Sequence, residues 1–149
     1  MDIEQRLMED MKTAMKSRDK IRLETIRGLR AQLKNAQIEK GDALNEDEVL
    51  KVLNSAAKKR RETIEQFRAL GRDDRADIEQ QELEVIAAYL PAQMDKAAVT
   101  KLVEETISRV NAESMKDMGK VMGAVMGQVK GKADGKMVQQ IVREKLSAV

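Results

Sequence analysis

A single proline, Pro91, stands in 149 residues whose apolar side chains otherwise recur at three- and four-residue spacing. That spacing is the repeat of one helix face, and no stretch sustains the alternation of a strand. The chain is therefore expected to be all-α. Proline cannot donate the hydrogen bond a continuing helix needs, and it disfavours a helical residue before it. Leu90-Pro91 thus marks the main division, with a four-helix N-terminal domain expected over 1–90 and a three-helix C-terminal domain over 92–149.

The helices can be placed one by one. Ile3, Leu7, Met11 and Met15 fall four apart on one stripe, and Asp19 can cap a second helix carrying Leu23, Ile26, Leu29, Leu33 and Ala36 to a stop at Gly41. A third begins at Asn45, with Glu48 three residues on in a capping-box arrangement, and carries Val49, Leu53, Ala56, Ile64, Phe67 and Leu70 to Gly71. Asp73 or Asp74 opens the fourth, with Ile78, Val85, Ile86, Tyr89 and Leu90 on its apolar side. After Pro91, Asp95 can cap a helix bearing Val99, Leu102, Val103, Ile107 and Val110. Ser114 with Asp117 then opens a sixth, and Asp134 a seventh that ends near Val149.

Composition excludes more than it selects. With no His and no Cys there is no imidazole base, no thiolate nucleophile, and no nitrogen or sulfur ligand for zinc. Carboxylate and lysine chemistry remain, but no spacing identifies a catalytic cluster, so no catalytic residue, metal or cofactor is expected. One Phe and one Tyr leave base stacking on aromatic rings nearly unavailable. Apolar runs are only a few residues long, which argues against a membrane span. The opening MDIEQRLMEDMK is charged from its second residue and lacks the apolar core of a secretory leader, so a cytoplasmic or organelle-matrix protein is the default and the cytoplasm the expected location.

The net charge of +2 conceals an asymmetry: residues 1–90 hold 18 basic and 19 acidic side chains, residues 92–149 ten basic and seven acidic. The smaller domain is the basic one. In the larger, residues 12–34 carry eight Lys or Arg against Asp19 and Glu24, and KKRR at 58–61 forms a second cluster. Solvated helix faces explain both clusters without a ligand.

Five of the eight glycines stand four apart, at 119, 123, 127, 131 and 135. Gly119, Gly123 and Gly127 lie along one edge of the helical arc made by Met115, Met118, Val121, Met122, Val125, Met126 and Val129. Each glycine disfavours a helix by about 1 kcal/mol relative to alanine, which suggests a close-packing groove for another backbone. The expected occupant is a neighbouring helix of the same domain, the alternative an external helix or an RNA backbone. Gly131 and Gly135 interleave with Lys130, Lys132 and Lys136 ahead of the last helix. A glycine-bearing turn into a helix N-terminus, with lysines around it, outlines an anion site; the plain reading is a helix-to-helix turn with Gly131 as C-terminal cap and Asp134 as the next N-cap.

Residues 117–146, DMGKVMGAVMGQVKGKADGKMVQQIVREKL, resemble the C-terminal signature of the YqeY family and the tail of the B subunit of the tRNA-dependent Asp/Glu-tRNA amidotransferase. EVLKVLNSAAKKRRETIEQFRALGRDDRADIEQQELEVIAAYLPAQM, residues 48–94, and the opening EQRLMEDMKTAMKSRDKIRLETIRGLRAQLKNA are similar to the free-standing YqeY proteins. The resemblance implies a four-helix domain followed by a three-helix tail that contacts tRNA. It carries with it a carbon–nitrogen ligase label for which this chain has no matching catalytic or zinc-bearing region. The expectation is a small non-catalytic protein binding tRNA or structured RNA through phosphate contacts of Lys116, Lys120, Lys130, Lys132, Lys136 and the Gly131 backbone. The alternative is an adaptor docking on an aminoacyl-tRNA synthetase or amidotransferase complex.

Overall fold

The computed structural model describes residues 1–129 and 131–148, whose regular elements are all helices, with no strand among them. Cα packing divides the chain into two compact units, Met1–Leu90 and Pro91–Val149.

The first unit contains α1 (Ile3–Ser17), α2 (Lys20–Lys40), α3 (Glu46–Ala69) and α4 (Asp73–Ala87). Local chemistry sets their ends. At α1, Asp2 Oδ1 accepts the Gln5 N–H at 2.8 Å while Gln5 Oε1 accepts the Asp2 N–H at 3.0 Å, a reciprocal cap. Asn45 and Glu48 form the same arrangement at α3. A hydrogen bond from Lys40 Nζ at 2.7 Å, joined by the Asn45 N–H, holds the Glu48 carboxyl below its usual range. Gly41 ends α2 with φ +80°, a conformation that strains any side chain with a Cβ. α4 opens at Asp73 as expected, after an N-cap, Arg72, that makes no side-chain cap bond; Asp73 and Asp74 lie in the first turn, where their charges favour the helix dipole.

α3 packs on α4 and α1 on α2, with α2 also meeting α3 and α4. The core is Leu7, Ile26, Leu29, Leu33, Val49, Leu53, Ala56, Ala57, Val85, Ile86 and Tyr89. Thr25 is buried among them with its hydroxyl donating to the Ile21 carbonyl at 2.8 Å. Three expected core positions are exposed instead: Met15, Leu70 and Ile78. For Met15 the reason is helical drift. A row of residues four apart rotates by about 40° per step, so the line of buried Leu7 returns at Ala14, which is fully buried, and not at Met15.

Tyr89 closes this unit. Its hydroxyl donates to Asp10 Oδ2, and the Arg6 guanidinium lies over its ring at 4.9 Å. Arg6 Nη2 also donates to the Ala88 carbonyl at 3.3 Å, satisfying an acceptor that the end of α4 leaves without a helical partner.

The second unit contains α5 (Lys96–Arg109), a short 3₁₀ turn at Met115–Asp117, α6 (Met118–Val129) and α7 (Gly135–Ser147). Each of the three α-helices packs on the other two. The core is dominated by valine: Val99, Val103, Val121, Val125, Val129, Val138 and Val142, with Ile141, Leu146 and Ala112. Short branched side chains let three short helices approach closely. Met118, Met122 and Met126 flank this core half-buried, where their flexible chains fill its margin.

Separate folding of the two units is the expected result of cutting the chain at Pro91. Fragments 1–90 and 92–149 should each give a helical spectrum and a cooperative melt. Two unfolded fragments would make Leu90-Pro91 a loop inside one cooperative core.

Candidate functional site

The connection between α6 and α7 is held from several sides within its own unit. Gly131 adopts φ +73°, so the chain turns sharply after Val129, and the Lys132 N–H donates to the Val129 carbonyl at 2.6 Å. The Lys132 carbonyl accepts the Met94 N–H at 2.8 Å. Gln93 Nε2 bridges two carbonyls, Pro91 and Gly131, each at 3.0 Å. The segment after the proline thereby occupies the Gly131 and Lys132 carbonyls of the turn. Sequence reasoning missed Gln93, and could not have found it, because nothing local marks a contact 38 residues away.

Asp134 caps α7, its Oδ1 accepting the Lys136 N–H at 3.3 Å. A carboxylate therefore already sits at the positive end of the helix, and a bound anion would compete with it. The plain reading of this turn, Gly131 in the left-handed conformation and Asp134 as N-cap, is the geometry present. What the turn offers an anion is side-chain charge. Lys132 and Lys136 are exposed and form no ion pair with the described residues. Lys130 lies outside the described residues.

Lys116 and Lys120 belong to the other end of α6. The Lys116 N–H donates to Ser114 Oγ at 3.3 Å in the 3₁₀ turn, and its side chain is exposed. Lys120 Nζ donates to the Val110 carbonyl at 3.1 Å, at the C-cap of α5, so this lysine has a structural task. Beside it, the backbone N–H groups of Glu113 and Ser114, then the Lys120 charge, hold the Asp117 carboxyl below its usual range. A twelve-residue helix rises about 18 Å. The structure thus brings Gly131, Lys132 and Lys136 together in one connection and places Lys116 and Lys120 near the far end of α6.

The glycine edge is not the intramolecular groove that was expected. Gly119, Gly123 and Gly127 are exposed, and a Cβ built on each meets nothing within 4 Å. The reason is rotational: α6 faces its unit with Val121, Val125 and Val129, and Gly123 stands about 200° from Val125 around the helix. No neighbouring helix offsets the low helix propensity of these residues. Gly123→Ala should therefore raise the stability of the second unit by about 0.5–1 kcal/mol, read as a higher denaturant midpoint. A lower midpoint would mean that a Cβ is not tolerated at this edge.

Three arginines of the two charge clusters in the first unit form ion pairs. Arg22 lies 3.5 Å from Asp19 and Arg27 3.6 Å from Glu24. Within KKRR, Arg60 Nε meets Glu82 Oε2 at 3.3 Å between α3 and α4. Among the described residues, no group of three or more His, Cys, Asp or Glu is placed to hold a metal ion, and no helix is long and apolar enough to cross a membrane.

A family model described as Yqey-like protein matches residues 4–146. The chain belongs to the YqeY family. Curated relatives carry the name "Altered inheritance of mitochondria protein 41, mitochondrial". The one from Clavispora lusitaniae is 36% identical over 99 residues, covering 64% of this chain and 58% of the relative. Those from Eremothecium gossypii and Lachancea thermotolerans are 37% and 35% identical, covering 58% and 56% of this chain and 48% and 46% of theirs. The chain spans about half the length of these curated relatives. Neither the family description nor these names carries an enzymatic activity. The names do overturn the expected cytoplasmic location, since the relatives are mitochondrial. A charged stretch does not separate cytosol from organelle matrix.

Proposed function

We propose that this YqeY-family chain is a non-catalytic RNA-associated protein whose C-terminal unit holds tRNA or another structured RNA by phosphate contacts. The observation that carries the reading is the set Lys116, Lys132 and Lys136: exposed ammonium groups, unpaired among the described residues, on the basic unit of a nearly neutral chain. Lysine supplies charge with little base information, and the shortage of aromatic rings leaves recognition to shape and backbone. The amidotransferase-like tail sequence supports the same reading. Titration of the purified chain with tRNA at several salt concentrations tests it. Binding should weaken linearly in logarithmic salt, and an affinity indifferent to salt overturns the phosphate contacts.

The open glycine edge favours a second reading, an adaptor docking on an aminoacyl-tRNA synthetase or amidotransferase complex. Gly119, Gly123 and Gly127 oppose the helix by roughly 3 kcal/mol in total, with no compensating contact inside the chain. Close approach of an external helix would supply one. Gly123→Leu should then abolish association with the partner complex while leaving tRNA affinity in place. The relatives' names make the mitochondrion the compartment in which to look for either activity.

A further inference from the structure

α7 turns one face to its own unit and the other to solvent. Val138, Ile141 and Val142 are buried in the core, while Lys136, Gln139, Gln140 and Arg143 are exposed on the opposite side. These four positions fall within an arc of about 100° around the helix. The face they form holds two cations, two amides and no large apolar side chain, because none of the exposed large hydrophobic residues belongs to α7. Among the described residues, the side chains of Arg143 and Gln139 have no hydrogen-bond or ion-pair partner. The carboxylates beside the face are engaged: Asp134 Oδ1 accepts the Lys136 N–H at 3.3 Å, and Glu144 Oε1 accepts from Gln140 Nε2 at 3.4 Å.

That composition narrows the ligand. A protein partner needs an apolar anchor at the centre of its interface, and a membrane needs apolar side chains to insert; this face supplies neither. Single-stranded RNA is held by bases stacked on aromatic rings, and the chain's aromatic residues, Phe67 and Tyr89, both belong to the first unit. Paired RNA asks for neither feature. Its wide, shallow minor groove presents phosphates and 2′-hydroxyls to a helix laid across it.

We propose that α7 lies across the minor groove of a paired RNA arm, with Lys136 and Arg143 on phosphates and Gln139 and Gln140 between them on 2′-hydroxyls. The inference rests on the RNA reading of the C-terminal unit, and adds to it the form of the RNA and a cation two turns beyond the lysine-bearing connection. Lys136 and Arg143 are seven residues apart, about 10.5 Å along the axis, so the pair can reach phosphates on both sides of a shallow groove. A glutamine amide both donates and accepts, as a 2′-hydroxyl does. Duplex DNA lacks that hydroxyl, so the glutamines discriminate where the cations do not.

The test titrates the full chain at several salt concentrations with tRNA, with a paired RNA of about 16 base pairs, and with the same sequence as duplex DNA and as single-stranded RNA. Paired RNA is expected to displace tRNA and to bind on the order of tenfold more tightly than the other two. Arg143→Gln should weaken binding of paired RNA about five- to tenfold near 0.1 M salt and make the logarithmic salt slope shallower by about 0.7 to 0.9. The helical spectrum should be unchanged, and Arg143→Lys should restore most of the affinity and slope. Gln139→Ala with Gln140→Ala should bring the affinities for paired RNA and duplex DNA together at an unchanged slope, since no charge is lost. Salt-dependent tRNA binding without a preference for paired RNA, or indifferent to Arg143→Gln, would overturn this inference and leave the RNA reading standing. Absence of salt-dependent binding to any of the RNAs would overturn both.

Discussion

Tyr89→Ala is expected to lower the stability of the N-terminal unit by about 3–5 kcal/mol, the range for truncating a buried aromatic side chain. Tyr89 is 4% exposed and belongs to the core shared by α1, α2, α3 and α4. Its loss opens a cavity and also removes the surface under Arg6 and the donor to Asp10. Tyr89→Phe separates these contributions, because it keeps the ring and removes only the hydroxyl. A cost of about 1–2 kcal/mol is expected for it, since Asp10 is only half-buried and water can replace the lost donor.

Alkaline pH gives a second readout of the same contact. Burial, then the hydrogen bond to Asp10 and its negative charge, raise the Tyr89 hydroxyl well above the ordinary phenol value. A group raised on folding contributes stability that is fully present below its unfolded value, about pH 10, and is lost as pH rises through the folded one. Wild type should therefore lose stability above pH 10 more steeply than Tyr89→Phe. Parallel curves for the two in chemical denaturation would show that the hydroxyl is not neutral and bonded in the folded unit.

Replacing Lys130, Lys132 and Lys136 together by Gln should weaken tRNA binding by about a hundredfold or more near 0.1 M salt. Three lost phosphate contacts make the logarithmic salt slope shallower by about 2 to 3 units, using the coefficients for single strands and duplex DNA. The loss should be nearly uniform across RNA sequences, because phosphate contacts position a ligand without reading its bases. The fold should survive. Gly131 keeps its left-handed turn, Asp134 its cap and Gln93 its bridge to the turn, none of which uses a lysine side chain. Equal affinities and slopes for wild type and variant would shift the function to the adaptor reading, for which Gly123→Leu is the discriminating change.

Helix positions were legible because their signals are local. Asp19, Asn45, Asp95 and Asp134 were read as caps, and each accepts a backbone N–H within three residues. The valines and methionines of 117–129 announced their core face by spacing alone. Legibility failed where the answer depends on which neighbour arrives. Met15 and Ile78 satisfy an apolar pattern, yet the packed faces of α1 and α4 pass through Ala14 and Ala76. Gly119, Gly123 and Gly127 invited a neighbouring backbone, and the neighbours went to the valine face.

The candidate site divides in the same way. The helical class, the break at Pro91, the basic character of the C-terminal residues and the turn chemistry of Gly131 and Asp134 can be read along the chain without its fold. All of these follow from propensity, capping and charge count, which act over a few residues or over none. Packing between helices is what ties Lys120 to the end of α5, sets Gln93 against the α6–α7 turn, and puts Arg27, Arg30 and Lys34 along one groove. Those arrangements depend on how helices rotate about their own axes to bury the largest apolar surface, and that rotation is set by the partner helices together and not by the pattern of one of them.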